Sequence, residues 1–68
     1  MLSTEERFYL TYCELSYIDV ELITEEEQEI VENAMNIIDE HLSTSEFNLT
    51  EEEEDIISQA TLVQEKFS

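Results

Sequence analysis

Sixty-eight residues pass without one glycine or proline, and that absence narrows the fold more than any motif does. Hairpins built on Asn-Gly or other glycine turns lose their usual chemistry, and nothing forces a helix to break. Helices are therefore expected, with limits set by capping side chains. Thr-Glu-Glu recurs at Thr4-Glu5-Glu6, Thr24-Glu25-Glu26 and Thr50-Glu51-Glu52. Thr24 with Glu27, and Thr50 with Glu53, have the spacing in which a hydroxyl and a carboxylate reciprocally satisfy free backbone N–H groups. Ser3 with Glu6 repeats it. First-turn carboxylates also face the positive end of the helix dipole, and His41 and Lys66 fall near the expected C-termini, where cations are favoured.

Behind each start, apolar residues recur at spacings of three and four. The first segment carries Phe8, Tyr12, Leu15 and Leu22, the second Ile30, Ala34, Ile37 and His41, the third Ile56, Ala60, Val63 and Phe67. A parallel row in the second segment, Val31, Met35, Ile38 and Leu42, makes its apolar face wide enough for two neighbours, so it is expected at the centre. Residues 23–40 align without gaps on 49–66, pairing Thr24 with Thr50 and Ala34 with Ala60. Shared helix physics accounts for this repeat more readily than common descent does. The first segment holds strand-favouring stretches, Phe8 to Cys13 and Tyr17 to Val20, but a lone strand would have no partner. The expected fold is all-α, a short three-helix bundle with helices at about 4–19, 25–42 and 51–67, a dimer being an open alternative. Ser43 to Leu49 reads as the second loop, with Phe47 or Leu49 tucked against the bundle.

Nineteen acidic residues against Arg7 and Lys66 give a net charge of −17 on one small domain. Such a field repels phosphates and anionic membrane surfaces and attracts cationic protein surfaces, so neither direct nucleic-acid binding nor membrane binding is expected. A chain this short hides only about 60% of its unfolded surface, yet 41% hydrophobic residues, regularly spaced, exceed what disorder carries. The single cysteine, Cys13, fits a reducing compartment, and no apolar run follows Met1 to Arg7 that could serve as a signal segment. Cytoplasm is the expected location. Asn48-Leu49-Thr50 matches a glycosylation sequon, which without secretion has no consequence.

No residues assemble into a nucleophile, base and orienting group, since His41 and Cys13 are each alone in kind. They read as a part-buried helix-end residue and a small core residue. The chain is expected to be neither an enzyme nor a cofactor carrier. Glu51 to Asp55 is a five-carboxylate run, but it lacks the alternation and central glycine of a calcium loop, so no metal site is expected.

The carboxylates could be a solvated face and nothing more. Solubility alone, however, is satisfied by a net charge of magnitude roughly 2–8, and exceeding it costs stability by self-repulsion. Glu25, Glu29, Glu32 and Asp39 fall on one helical stripe with Glu26 beside it, and neighbours at i, i+4 are about 5–6 Å apart at Cβ, of the order of successive phosphates. Joined to Glu51, Glu52, Glu54 and Asp55, this stripe could fill a groove that normally holds DNA or RNA. In composition and size the chain resembles the small acidic proteins, often carried by bacteriophages and other mobile elements, that inhibit DNA-binding proteins by mimicking DNA. The resemblance implies a basic nucleic-acid-binding partner, such as a nuclease, a repressor, a nucleoid protein or a transcription component. The alternative is an adaptor or antitoxin-like regulator docking through Phe8, Tyr9, Tyr12 and Tyr17, the aromatic cluster that could equally form a homodimer seam.

Overall fold

The computed structural model describes residues 2–66, and the capping residues open every α-helix in it. Helix α1 spans Thr4–Ser16, α2 Glu25–Thr44 and α3 Glu51–Glu65. Each begins with a complete capping box. The Thr24 N–H donates to Glu27 Oε1 at 3.0 Å while the Glu27 N–H donates to Thr24 Oγ1 at 3.1 Å. Thr50 and Glu53 repeat this at 3.0 and 3.2 Å, and Ser3 and Glu6 at 3.5 and 3.1 Å.

The helix ends depart from the expected ones. α1 stops at Ser16 rather than near residue 19. There the Ser16 hydroxyl donates to the Cys13 carbonyl at 2.7 Å, the Tyr17 and Ile18 N–H groups turn back to Glu14 and Leu15, and Asp19 caps a 3₁₀ turn over Val20–Leu22. This break redirects the chain, so Ile18 is buried at 8% exposure and Leu22, expected on the core face, is 66% exposed. α2 runs two residues past the expected 42, to Thr44. With no glycine available, Ser45 takes the left-handed conformation that ends it, at φ 57°. α3 ends at Glu65 instead of 67, and Phe67 lies outside the described residues.

The core is Leu15, Ile18, Val31, Ala34, Ile38, Ala60 and Val63, with Phe8, Tyr12, Ile30, Met35 and Leu42 packed against it. α2 touches both other helices extensively and α1 meets α3 less, so α2 is central. Ile37 is only half-buried, and Cys13, read as a core residue, lies partly covered outside the buried cluster. Phe47 packs edge-on against Phe8, ring centres 5.1 Å apart, closing the loop over the bundle.

Contacts at both ends show that α2 and α3 run antiparallel, Glu27 reaching Lys66 and Glu53 reaching His41. Ala34 lies seven residues from Glu27 and His41, and Ala60 seven from Glu53 and six from Lys66. The two alanines therefore stand level at the middle of the pair, and both are 0% exposed. Small side chains at that height let the helix axes approach closely. Ala60→Leu should force the pair apart and lower stability by about 1–3 kcal/mol or more. Urea unfolding measures this, with exposed Ser58→Leu as the control of little effect.

Candidate functional site

The second glutamate of each later Thr-Glu-Glu-Glu start carries nothing inward; the third one does. Glu27 and Glu53, one turn into their helices, cap their own N-termini with one carboxylate oxygen and hold a cation at the end of the neighbouring helix with the other. Lys66 Nζ donates to Glu27 Oε2 at 2.6 Å, and His41 Nε2 stands 3.3 Å from Glu53 Oε2. The Lys66 side chain is 62% exposed and the His41 side chain 14%, so the first contact is a surface clasp and the second is largely shielded from water. Hydrogen bonding to Lys66 and to the Thr24 backbone holds the Glu27 carboxyl below its ordinary 4.5.

At the other end, His41 Nδ1–H donates to the Glu46 carbonyl. That bond fixes the tautomer, so a neutral ring would turn the Nε2 lone pair toward the Glu53 carboxylate. Only the imidazolium satisfies both partners. The bond to Glu46 and, after it, the pairing with Glu53 lift His41 above its ordinary 6.5 against the opposing effect of burial. Glu53 falls below its ordinary 4.5, chiefly through the Thr50 backbone bond.

With Lys66 and His41 committed to helix ends, the outward faces of α2 and α3 are left acidic. Glu25, Glu26, Glu29, Glu32, Asp39, Glu51, Glu52, Glu54 and Asp55 are all exposed. Side-chain amides offset only two of them, Gln28 donating to Glu32 at 3.3 Å and Gln59 to Asp55 at 2.9 Å. The stripe from Glu25 to Asp39 extends about 21 Å along α2. Because the helices are antiparallel, the acidic start of α3 stands at the far end of that stripe from Glu25. By the same matching of levels, Glu51 to Asp55 stand beside residues 39–43 of α2, so α3 broadens the acidic row at the Asp39 end and leaves the Glu25 end to α2 alone. Glu54 diverges from the row, since it lines a cleft of about 300 Å³ shared with Arg7, Thr4 and Thr11 over a floor of Phe8, Ile38, Phe47, Leu49 and Ile57.

The aromatic cluster divides. Phe8 and Tyr12 pack on the core, Phe8 edge-on to His41 with ring centres 6.1 Å apart, whereas Tyr9 is 60% and Tyr17 85% exposed. A single docking face made of all four is therefore not formed. Among the described residues no three His, Cys, Asp or Glu side chains converge as metal ligands, and no helix is long and apolar enough to cross a membrane. No protein-family model, curated protein or solved structure matches the chain.

The clasps could not be found from spacing along one helix, because each joins residues of different helices. The available signals were a capping glutamate and a rare cation at a helix end, which become partners only once antiparallel packing is known. Linkage fixes their pH response. His41, raised in the folded state, contributes stability that is complete below about pH 6.5 and lost as pH rises through its folded value; Glu53 contributes above 4.5 and loses this on acidification through its own. The stability lost in His41→Gln should therefore be largest between those limits and shrink toward alkaline pH, as read by urea unfolding. The proton NMR titration of His41, the only histidine, should have a midpoint above 6.5 that falls in Glu53→Gln. A midpoint at or below 6.5 would exclude the clasp.

Proposed function

We propose that this protein binds a basic nucleic-acid-binding protein through the carboxylates of α2 and α3, occupying the surface that otherwise holds DNA or RNA. The carrying observation is an exposed acidic row without cations: Glu25, Glu26, Glu29, Glu32, Asp39 and Glu40 on α2 are all in solvent, while Lys66 and His41 are engaged at the helix ends. Six charges over about 22 Å of helix compare with about six or seven phosphates of one DNA strand over the same axial length. α3 adds Glu51, Glu52 and Asp55 beside the Asp39 end. Long-range attraction would speed encounter, Arg and Lys of the partner would pair with carboxylates in place of phosphates, and the charge would exclude nucleic acid itself.

Such a surface has a cost that salt exposes. Screening should stabilise the free protein by relieving its self-repulsion and weaken the complex by shielding its attraction. The partner class as inhibited target, a phage or mobile-element setting and a cytoplasmic location belong to this proposal.

A second reading rests on the exposure of Tyr9 and Tyr17, which suits an adaptor that docks by aromatic contacts and uses its acidity for solubility. Capture from a nuclease-treated cell lysate separates the two. Immobilised protein should retain DNA- or RNA-binding proteins at low salt, release them at high salt, and release them to added duplex DNA or RNA. Glu25→Gln, Glu29→Gln, Glu32→Gln and Asp55→Asn combined should reduce retention at least about tenfold, whereas Tyr9→Ala with Tyr17→Ala should leave it unchanged. Retention that withstands high salt and the charge variant, but not the tyrosine variant, would replace mimicry with the adaptor.

A further inference from the structure

The outward side of α1 differs from those of its neighbours. Leu10, Cys13 and Tyr17 recur at spacings of three and four on the side away from Leu15, with Tyr9 along one flank. Leu10 is 44% exposed, Tyr9 60% and Tyr17 85%, while Cys13 is partly covered. α1 therefore bears two seams. One packs on the bundle through Phe8, Tyr12 and Leu15, and the second has the pattern of a helix-pairing face.

Arg7 and Glu14 stand on the other flank of that second seam, seven residues and about two turns apart, both exposed. Arg7 forms no ion pair among the described residues. The flank holds one cation and one anion, and even with Glu5 and Glu6 at its start α1 presents less unopposed charge than α2 or α3, so it is the part of the surface least repelled by an identical chain.

We propose that this face takes a second copy of the chain, the two α1 helices packing antiparallel about a two-fold axis that passes between Leu10 and Thr11. Arg7 and Glu14 are equally far from that midpoint in opposite directions. A two-fold axis carries each flank onto the same flank of the copy at the mirrored height, so each Arg7 meets the partner's Glu14, twice over, while Leu10 packs beside its own copy. This charge complementarity selects a second copy over a basic protein, which is drawn to α2 and α3, and over an acidic one, which the rest of the surface repels. Glu6, at the outer end of the seam, is retained by Ser3 in the capping box. The acidic row of α2 and α3 stays outside the contact, so the dimer presents two such rows.

A single helix face is smaller than the roughly 800 Å² per partner of a standard interface, and two chains of charge −17 repel. The dimer is accordingly weak at low salt and tightens as salt screens the repulsion, the reverse of capture by a basic partner. The two proposals therefore fail separately. Sedimentation of the full chain in reducing buffer, from micromolar to millimolar concentration at low and physiological salt, should reveal a monomer–dimer equilibrium that salt strengthens. Leu10→Glu should abolish it, and Arg7→Glu should weaken it roughly tenfold by setting Glu against Glu. Adding Glu14→Arg to Arg7→Glu should restore dimerisation, whereas adding Glu32→Arg, which gives the same net charge, should not. Circular dichroism checks each fold; if Leu10→Glu fails to fold, the two double variants still decide. A monomer under every condition, or equal rescue by Glu32→Arg, overturns the proposal.

Discussion

Glu27 and Glu53 are the pivots of the molecule. Each belongs to its own helix through a capping box and to the neighbouring helix through a cation, so one carboxylate both starts a helix and joins its end to another. In a chain with this excess of negative charge, inward-turned carboxylates would ordinarily oppose folding. Here the two least exposed ones are those given backbone donors and a cation, and the remainder can stay in water. The antiparallel α2 and α3 pair is clasped at its ends and drawn together at its middle by Ala34 and Ala60.

That arrangement produces the charge pattern of the surface. Two of the three side chains able to carry positive charge are drawn to helix ends, where they complement C-terminal carbonyls as well as glutamates. The outward faces of α2 and α3 keep their carboxylates unneutralised. The bundle is thereby polarised around its axis: densely acidic on two helices, and on the third aromatic and aliphatic with Arg7 set among Glu5, Glu6 and Glu14. A basic surface and a copy of α1 would be received on different sides, without competing for the same residues.

The core is small for its charge, and its sparing use of large residues follows from geometry. Ile38 is the largest side chain fully enclosed, while Phe8, Tyr12, Phe47 and Leu42 cover the bundle from its margin. Marginal residues of this size exclude water from the short helices and shield the His41–Glu53 contact, so the aromatic ring of Phe8 serves both the packing and the electrostatics of that end. Self-repulsion spread over the surface is tolerated because the helices are locally well formed, each with its capping box and first-turn acids.

Helix starts, helix number and the central place of α2 were legible in the sequence, because capping chemistry and three-four periodicity act over a few neighbouring residues. The exposure of the acidic stripe was legible for the same reason: a charged face opposite an apolar one remains outside. The end of α1 was less so, since Ser16, Ile18 and Asp19 permit either another helical turn or a 3₁₀ bend, and the burial of Ile18 favours the bend. Only tertiary structure could decide that Glu27 meets Lys66, that Glu53 meets His41, that Tyr12 turns inward while Tyr9 and Tyr17 turn outward, and that the two acidic starts lie at opposite ends. Those outcomes depend on how helices dock, and docking is set by shape and burial between residues far apart in the chain.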